Sequence, residues 1–138
     1  MTPEDLAILH ALAFTRQRPW TAEEFTSLLD SPHVFLCIGP HSFALGRAVA
    51  GEAELLTLAT DPAHQRKGLG RARLTDFLNQ ATHMGATEAF LEVDQRNDTA
   101  VALYKHAGFT IIATRPAYYT LRDGTRADAL VMVRPLPA

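Results

Sequence analysis

The segment Gln65-Arg-Lys-Gly-Leu-Gly70 has the composition of a loop that binds phosphate. It separates an apolar run from a stretch with helical spacing, so its backbone N–H groups stand at the positive end of a helix dipole. Gly68 and Gly70 lack a Cβ and let an anion approach the backbone closely. Positive charge is added by Arg66, Lys67 and Arg71. The spacing fits neither a Walker A loop nor a complete dinucleotide fingerprint, and a glycine-rich turn with solvated basic residues is the alternative.

Other reactive residue types are few or scattered. Cys37 is the only cysteine, which excludes an intrachain disulfide and a thiol cluster around structural zinc. The six histidines show no spacing typical of metal ligands, so we expect no metal. The formal net charge is −2, and no basic stripe accompanies aromatic residues. We therefore expect no nucleic-acid partner.

The first 60 residues predict two helices followed by three strands. Thr2 is a plausible N-cap with Pro3 as the first helical residue, and apolar residues then recur at helical spacing. A capping box, Thr21-Ala-Glu-Glu24, predicts a second helix, with Trp20 placed to pack against Phe25. Short apolar runs separated by glycine and proline then predict consecutive antiparallel strands at 34–38, 43–49 and 55–59.

The second half of the chain alternates helices and strands. Leu74 to Ala81 keep helical spacing, and 89–93 reads as a buried strand. Asn97 or Asp98 can cap a further helix that ends at Gly108. The runs 109–114 and 129–133 predict a closing antiparallel pair. This order predicts an α+β fold in which helices flank a mixed central β-sheet, built as one domain over residues 1–138.

The N-terminus offers no targeting signal. It is acidic, and no long apolar run follows it, so we expect neither a secretory signal nor a membrane span. Together with the single cysteine, this pattern favours a cytoplasmic location.

Two stretches resemble the signatures of the acyl-CoA N-acetyltransferase (GNAT) superfamily. The first is Thr60-Asp-Pro-Ala-His-Gln-Arg-Lys-Gly-Leu-Gly-Arg71, which is similar to the family's Q/R-x-x-G-x-G/A loop after a strand. The second is Phe90-Leu-Glu-Val-Asp-Gln-Arg-Asn-Asp-Thr-Ala-Val-Ala-Leu-Tyr-Lys-His-Ala-Gly-Phe109, which resembles RimI-type enzymes in particular. RimI-type enzymes acetylate the N-terminal alanine of a ribosomal protein. The resemblance extends from about residue 13 to 135 and implies the GNAT fold, an acetyltransferase and acetyl-CoA as co-substrate.

The resemblance also implies a role for individual residues. Glu92 would accept a proton from the amine, and Tyr104 would donate a proton to the departing thiolate. The residues implied in acetyl-CoA binding are Leu58, Ala59 and Thr60 for the pantetheine arm, Gln65, Arg66, Lys67, Gly68, Leu69, Gly70 and Arg71 for the pyrophosphate, and Asn97.

The chemistry of acetyl transfer asks for side chains of these kinds. An α-amine has an ordinary pKa near 8 and a thiol a pKa near 8.5, so the amine must lose a proton and the thiolate must be stabilised or protonated. A carboxylate can accept the proton of the amine, and a phenol can protonate the thiolate. The amine is itself the nucleophile, so no covalent enzyme intermediate is needed and Cys37 is a poor nucleophile candidate.

Three features depart from the family pattern. We expect the usual strand before the first helix to be missing, because only Met1 precedes the cap at Thr2. Asp94-Gln95 stands where many RimI-type sequences carry a basic and a small residue. Glu54 lies on a strand that supplies the base in other GNAT enzymes, so Glu54 and Glu92 are both candidate bases.

Two other functions stay open from the sequence. The first is acetylation of a small-molecule amine, which a closed acidic acceptor pocket would favour, whereas a groove open at both ends would favour a peptide. The second is an acetyl-CoA-binding module without catalysis. Trp20, Tyr118 and Tyr119 line the acceptor groove or pack in the core, and the oligomeric state is a monomer or a homodimer.

Overall fold

The computed structural model describes residues 1–137 and has four helices and six strands in that range. The helices are α1 (Pro3–Ala13), α2 (Ala22–Leu29), α3 (Leu69–His83) and α4 (Asp98–His106). The strands are β1 (Val34–Gly39), β2 (Ser42–Val49), β3 (Glu52–Thr60), β4 (Glu88–Asp94), β5 (Thr110–Thr120) and β6 (Arg126–Pro135). A short 3-10 turn, Pro62–His64, precedes the phosphate-loop segment. No helix within residues 1–137 is long and apolar enough to span a membrane.

Both predicted helix starts are confirmed by side-chain caps. The Thr2 hydroxyl accepts the N–H of Asp5, and the Asp5 carboxylate accepts the N–H of Thr2. Thr21 and Glu24 form the same reciprocal pair at the start of α2. These bonds satisfy backbone donors that the first helical turn leaves free.

The strands form one mixed sheet in the order β1-β2-β3-β4-β6-β5. Neighbouring strands are antiparallel except for β3 and β4, which are parallel. The predicted α+β architecture is confirmed. In the described residues the first strand follows α2, as the sequence suggested.

Helices cover both faces of the sheet. One core lies between the sheet and α3 and α4, and its most buried side chains include Leu74, Phe77, Leu91 and Met132. The other core lies under α1 and α2 and contains Leu6, Phe25, Phe43 and Leu45. Because each face is covered by apolar side chains, the sheet is held between two layers of helix.

The two parallel strands separate halfway along their length. Their pairing runs from Glu52 with Glu88 to Leu55 with Leu91, and no pair follows. At the same point β3 carries a bulge, because Gly46 pairs with Leu55 whereas Leu45 pairs with Thr57. The extra residue reverses the alternation of side chains along β3, and the strands open a gap at the centre of the sheet.

Three strands are several residues longer than the hydrophobic pattern predicted: β3, β5 and β6, the last of which spans Arg126–Pro135 instead of 129–133. β3 begins at Glu52 rather than near Leu55, because Glu54 pairs across the sheet with Arg47 at 2.7 Å and so joins the strand as a polar residue. β5 continues past Thr114 to Thr120 despite Pro116. An edge strand accepts proline, since its outward N–H groups need no ladder partner.

Candidate active site

A cleft of about 510 Å³ occupies the gap between the diverging strands. Its walls are the outer halves of β3 and β4, the first turns of α4 and the segment that joins α1 to α2. Of the residues predicted for the site, the cleft brings together Leu58, Glu92, Asn97 and Tyr104. These come from three elements, so the open end of the parallel pair is what assembles them.

The predicted phosphate loop lies beside this cleft rather than in its wall. Gly68 caps α3 in a left-handed conformation with φ of 77°, and Arg66 is also left-handed at 65°. Left-handed residues at a helix start turn successive N–H groups into one concavity, which suits an anion. A Cβ on Gly70 would lie 3.5 Å from Leu103 and 3.7 Å from Thr60. The loop therefore touches both the end of β3 and the helix that carries Tyr104.

The remaining residues predicted for acetyl-CoA binding are also placed outside the cleft wall. Ala59 is buried in the core beneath α1 and α2, so its backbone is what it offers to a ligand. The others are Thr60 and the loop residues Gln65, Arg66, Lys67, Gly68, Leu69, Gly70 and Arg71.

Glu92 has one carboxylate oxygen without a partner. Its side chain is 16% exposed, and Oε1 lies 3.6 Å from Nη1 of Arg115. Oε2 is buried and has no hydrogen-bond partner among residues 1–137. A buried acceptor left unpaired is costly, so such an oxygen calls for an explanation. An N–H donor that binds in the cleft would be such a partner.

Tyr104 is buried in α4 and lines the same cleft. It is 7% exposed, and its ring packs edge-on against Phe109 at 6.0 Å between centroids. Burial raises the pKa of the Tyr104 phenol well above its ordinary value, because the anion would lose its hydration. The hydroxyl therefore stays protonated, as a proton donor requires.

Asn97 has a structural role that is compatible with a ligand contact. Its side-chain oxygen accepts the N–H of Ala100 at 3.2 Å and caps α4, as predicted. The same residue lines the cleft. Since the cap uses the amide oxygen, the amide N–H₂ group is left to donate.

Glu54, the second candidate base, does not line the cleft. Its carboxylate accepts a hydrogen bond from Arg47 at 2.7 Å. Partial burial and then the charge and hydrogen-bonding proximity of Glu92 raise the pKa of the Tyr118 phenol, and Glu54 makes a smaller contribution in the same direction. Both carboxylates therefore act on one face of the sheet, but Glu92 is the one in the wall of the cleft.

His10 is a cleft residue that the sequence analysis did not single out. It is 3% exposed, and its Nδ1 accepts the N–H of Trp20 at 3.2 Å. The ring stacks on Phe14 at 4.2 Å and on Trp20 at 5.0 Å. Burial lowers the pKa of His10 to about 4, so the imidazole is neutral near pH 7. The sequence signal for the burial of His10 was its position among the apolar residues of α1.

A second bulge shapes the wall that faces Glu92. Pairing of β5 with β6 breaks between Arg115 and Tyr119, and Ala117 adopts a left-handed φ of 53°. The Asp128 carboxylate accepts the Ala117 N–H at 2.8 Å and holds this conformation. Tyr119 lines the cleft. Proline at 116 in an otherwise regular strand was the sequence signal for this irregularity.

The profile of the Acetyltransferase (GNAT) family matches residues 6–109. The chain belongs to this family. GNAT relatives also match over most of their length. The [Ribosomal protein bS18]-alanine N-acetyltransferase of Escherichia coli (strain K12) is 34% identical over 122 residues, which is 86% of this chain and 82% of the relative. The N-alpha-acetyltransferase RimI of Mycobacterium tuberculosis is 35% identical and covers 93% of this chain and 83% of its own length.

Solved GNAT structures have the same fold. The ribosomal-protein-S18-alanine N-acetyltransferase from Escherichia coli superposes with a TM-score of 0.84 at 31% identity, over 96% of this chain and 86% of that one. Arabidopsis thaliana NAA60, solved in complex with acetyl-CoA, also gives 0.84, over 99% of this chain and 94% of that one. Its identity is 15%, so it supports the fold alone. The chain is thus an N-acetyltransferase of the GNAT family.

Proposed function

We propose that this enzyme transfers the acetyl group of acetyl-CoA to the N-terminal α-amine of a protein, with an alanine-initiated ribosomal protein as the acceptor. The observation that carries the proposal is the unpartnered Oε2 of Glu92 in a cleft that it shares with Tyr104. Similarity to two N-terminal acetyltransferases at 34% and 35% identity supports the choice of acceptor.

Glu92 and Tyr104 are proposed to move the two protons of the reaction. Glu92 takes a proton from the ammonium, directly or through one water, and the free amine attacks the thioester carbonyl. A C–N bond forms and the C–S bond breaks. The departing sulfur receives the hydroxyl proton of Tyr104, which burial keeps in place until that moment. The second proton, which the nitrogen loses as the amide forms, returns through water to the Tyr104 phenolate and restores the phenol. No bond forms between the acetyl group and the protein.

The elements around the cleft are proposed to hold acetyl-CoA across the gap in the sheet. The phosphate loop, with left-handed Arg66 and Gly68, fits a pyrophosphate at the start of α3. Beyond Leu55, the edge of β3 that no longer pairs with β4 faces the cleft and is available to an amide-containing arm such as pantetheine. Asn97 would contact the cofactor from α4. Backbone N–H groups near the bulge in β3 would stabilise the oxyanion.

The acceptor is proposed to enter from the side of α1 and β5. There the segment after α1 is joined to the β5–β6 hairpin by a bridge between Gln17 and Leu121. The Arg122 N–H donates to the Arg16 carbonyl at 2.9 Å. These contacts bring two walls together over the carboxylate side of the cleft. We propose that the reaction takes place in the cytoplasm, where ribosomal proteins are made.

The test is release of CoA thiol from acetyl-CoA with three kinds of acceptor. One is an alanine-initiated ribosomal peptide, the second is the same peptide blocked at its N-terminus, and the third is a panel of polyamines, aminoglycosides and amino acids. We expect turnover with the free peptide alone. Turnover of a small amine instead would replace the proposed acceptor, and tight CoA binding without turnover would indicate a module that binds the cofactor without catalysis.

A further inference from the structure

Three potential metal ligands meet beside the phosphate loop. His41 lies in the turn between β1 and β2, while Asp61 and His64 follow β3. One ligand atom from each of these residues lies within 4.8 Å of the others. The two imidazoles stack with their centroids 3.6 Å apart and their planes at 2°. His41 thus joins two residues that lie 20 and 23 positions later in the chain, in a group that no sequence spacing indicated.

Backbone contacts fix this group in place. The Asp61 N–H donates to the His41 carbonyl at 2.9 Å, which ties the two segments together. One oxygen of the Asp61 carboxylate accepts the Ala63 N–H at 3.0 Å, so the side chain is oriented before any ligand arrives. His41 holds a left-handed φ of 53°, which is uncommon for a residue other than glycine. A site that is organised in advance loses less entropy when it binds an ion.

The ligand types select a class of metal. Two imidazoles and one carboxylate suit zinc, nickel or copper better than the hard cations magnesium and calcium. Three protein ligands with a water in the fourth position are a common zinc arrangement. Stacked rings do not point their lone pairs at one centre, so binding requires one ring to turn. Turning is easy at the exposed His41, because the terminal torsion of histidine is broad.

We propose that His41, Asp61 and His64 bind one divalent transition-metal ion of the zinc class. With two neutral imidazoles and one carboxylate, the occupied site carries a net charge of +1. His64 is followed directly by Gln65, the first residue of the phosphate loop. The bound ion therefore favours binding of phosphate groups by that loop. This coupling rests on the proposed function of the loop, whereas metal binding itself does not.

Metal binding is tested by titrating the purified chain with Zn²⁺ in a calorimeter, and with Co²⁺ while its visible absorption is recorded. We expect one ion per chain. His64→Gln and His41→Asn should each weaken binding at least about tenfold, a conservative figure for loss of a ligand. Asparagine is chosen at 41 because it tolerates the left-handed conformation. His83 is an exposed histidine outside the group, so the control variant His83→Gln should bind Zn²⁺ like the wild type.

Different measurements test the metal site and its coupling to the phosphate loop. Equal Zn²⁺ affinity in the wild type and in both variants, each shown to be folded by circular dichroism, would overturn the metal site. The coupling is measured with desulfo-CoA, because the CoA thiol would itself bind zinc. We expect its affinity to rise at least threefold with Zn²⁺ in the wild type and to stay unchanged in His64→Gln. An unchanged affinity in the wild type would overturn the coupling and leave the metal site standing.

Discussion

At the scale of single residues, burial gives Glu92 and Tyr104 the properties that their proposed proton transfers need. Glu92 keeps a buried carboxylate oxygen without a partner, and Tyr104 keeps its proton because its phenolate would lose hydration. Arg115 lies 3.6 Å from the other oxygen of Glu92. An oxygen free to accept a proton and a phenol that keeps its own proton are what the proposed transfer requires.

Glu92→Gln should lower kcat at least about 100-fold, since a general base contributes 10²- to 10⁴-fold and an amide cannot accept the proton. The KM for acetyl-CoA should change little, because the phosphate loop lies elsewhere. Steady-state kinetics with a free-N-terminal peptide measure both constants. Glu54→Gln is the matched control and should retain most of the activity. If Glu54→Gln were the slow variant, the base would be Glu54 instead.

Tyr104→Phe should lower kcat about tenfold or more while leaving the fold intact, because only the hydroxyl is removed. The raised pKa of Tyr104 also has a direct consequence for the wild type. Its donor form persists through pH 10, so the kcat profile from pH 6 to 10 should show no decline from ionisation of this phenol. A fall in kcat over this range that is absent from Tyr104→Phe would contradict the raised pKa, whereas an unchanged kcat in Tyr104→Phe would contradict the donor role.

At the scale of elements, two irregularities carry the site: the left-handed start of α3 and the bulge of β5. Both place a residue at positive φ next to a proposed binding surface. Such conformations persist only when surrounding contacts hold them. Changes there should therefore alter binding constants in addition to stability.

Gly68→Ala should destabilise the fold by about 1 kcal/mol, because a Cβ disfavours the left-handed conformation. It should also raise the KM for acetyl-CoA, since the N–H groups of the loop would move. Gly85→Ala is the matched control. Gly85 has a φ of 89° and Gly68 a φ of 77°, and a Cβ added to either glycine would have no atom within 4 Å. Gly85→Ala should lose similar stability in urea unfolding with an unchanged KM. Equal KM values in both variants would argue against the proposed loop function.

Asp128 acts as a positioning residue for the β5 bulge. Asp128→Ala removes the acceptor of the Ala117 N–H and should loosen the part of β5 that carries Tyr119 into the wall of the cleft. The KM for the peptide should rise several-fold, whereas the KM for acetyl-CoA should stay constant. Asp128→Asn keeps a side-chain oxygen as acceptor and should restore most of the affinity. A parallel rise of both KM values would indicate a general loss of structure instead.

At the scale of the whole molecule, the neutral imidazole of His10 links stability to pH. Its pKa is lowered from 6.5 in the unfolded chain to about 4, so the unfolded state binds the proton more tightly. Stability contributed by this group is therefore complete above pH 6.5 and is lost as the pH falls towards 4. His10 also joins α1 to the segment before α2 through Trp20.

Unfolding in urea should show this loss directly. Between pH 7 and pH 5 we expect the free energy of unfolding to fall by about 2 kcal/mol on account of His10. Glu24, whose pKa is held at about 2 chiefly by Arg18, stays ionised in the native state over this range. His10→Gln does not titrate and should flatten the dependence. An equally steep decline in His10→Gln would assign the effect to other groups.

Local chemistry in the sequence was enough to predict much of the fold. Thr2, Thr21 and Asn97 each cap a helix through a hydrogen bond with a residue three positions later. Both partners of each bond therefore lie in one short stretch of sequence, where they can be recognised. The left-handed conformation of Gly68 at the start of α3 likewise depends on a local property, the missing Cβ of glycine. The identities of Glu92 and Tyr104 came from resemblance to the family, and their roles stay predictions.

Long-range packing decided the rest. The end of β3–β4 pairing at Leu55 and Leu91 opens the cleft, and it depends on how two helical layers twist one sheet. No local sequence pattern determines where the pairing of β3 with β4 ends or where the bulge in β3 forms. The meeting of His41 with His64 and of Arg115 with Glu92 joins residues more than 20 positions apart. The sequence by itself determined which elements form and which chemistry they carry, because those depend on near neighbours. The tertiary structure decided which groups face one another, because strand register and divergence are fixed only when the whole sheet is packed.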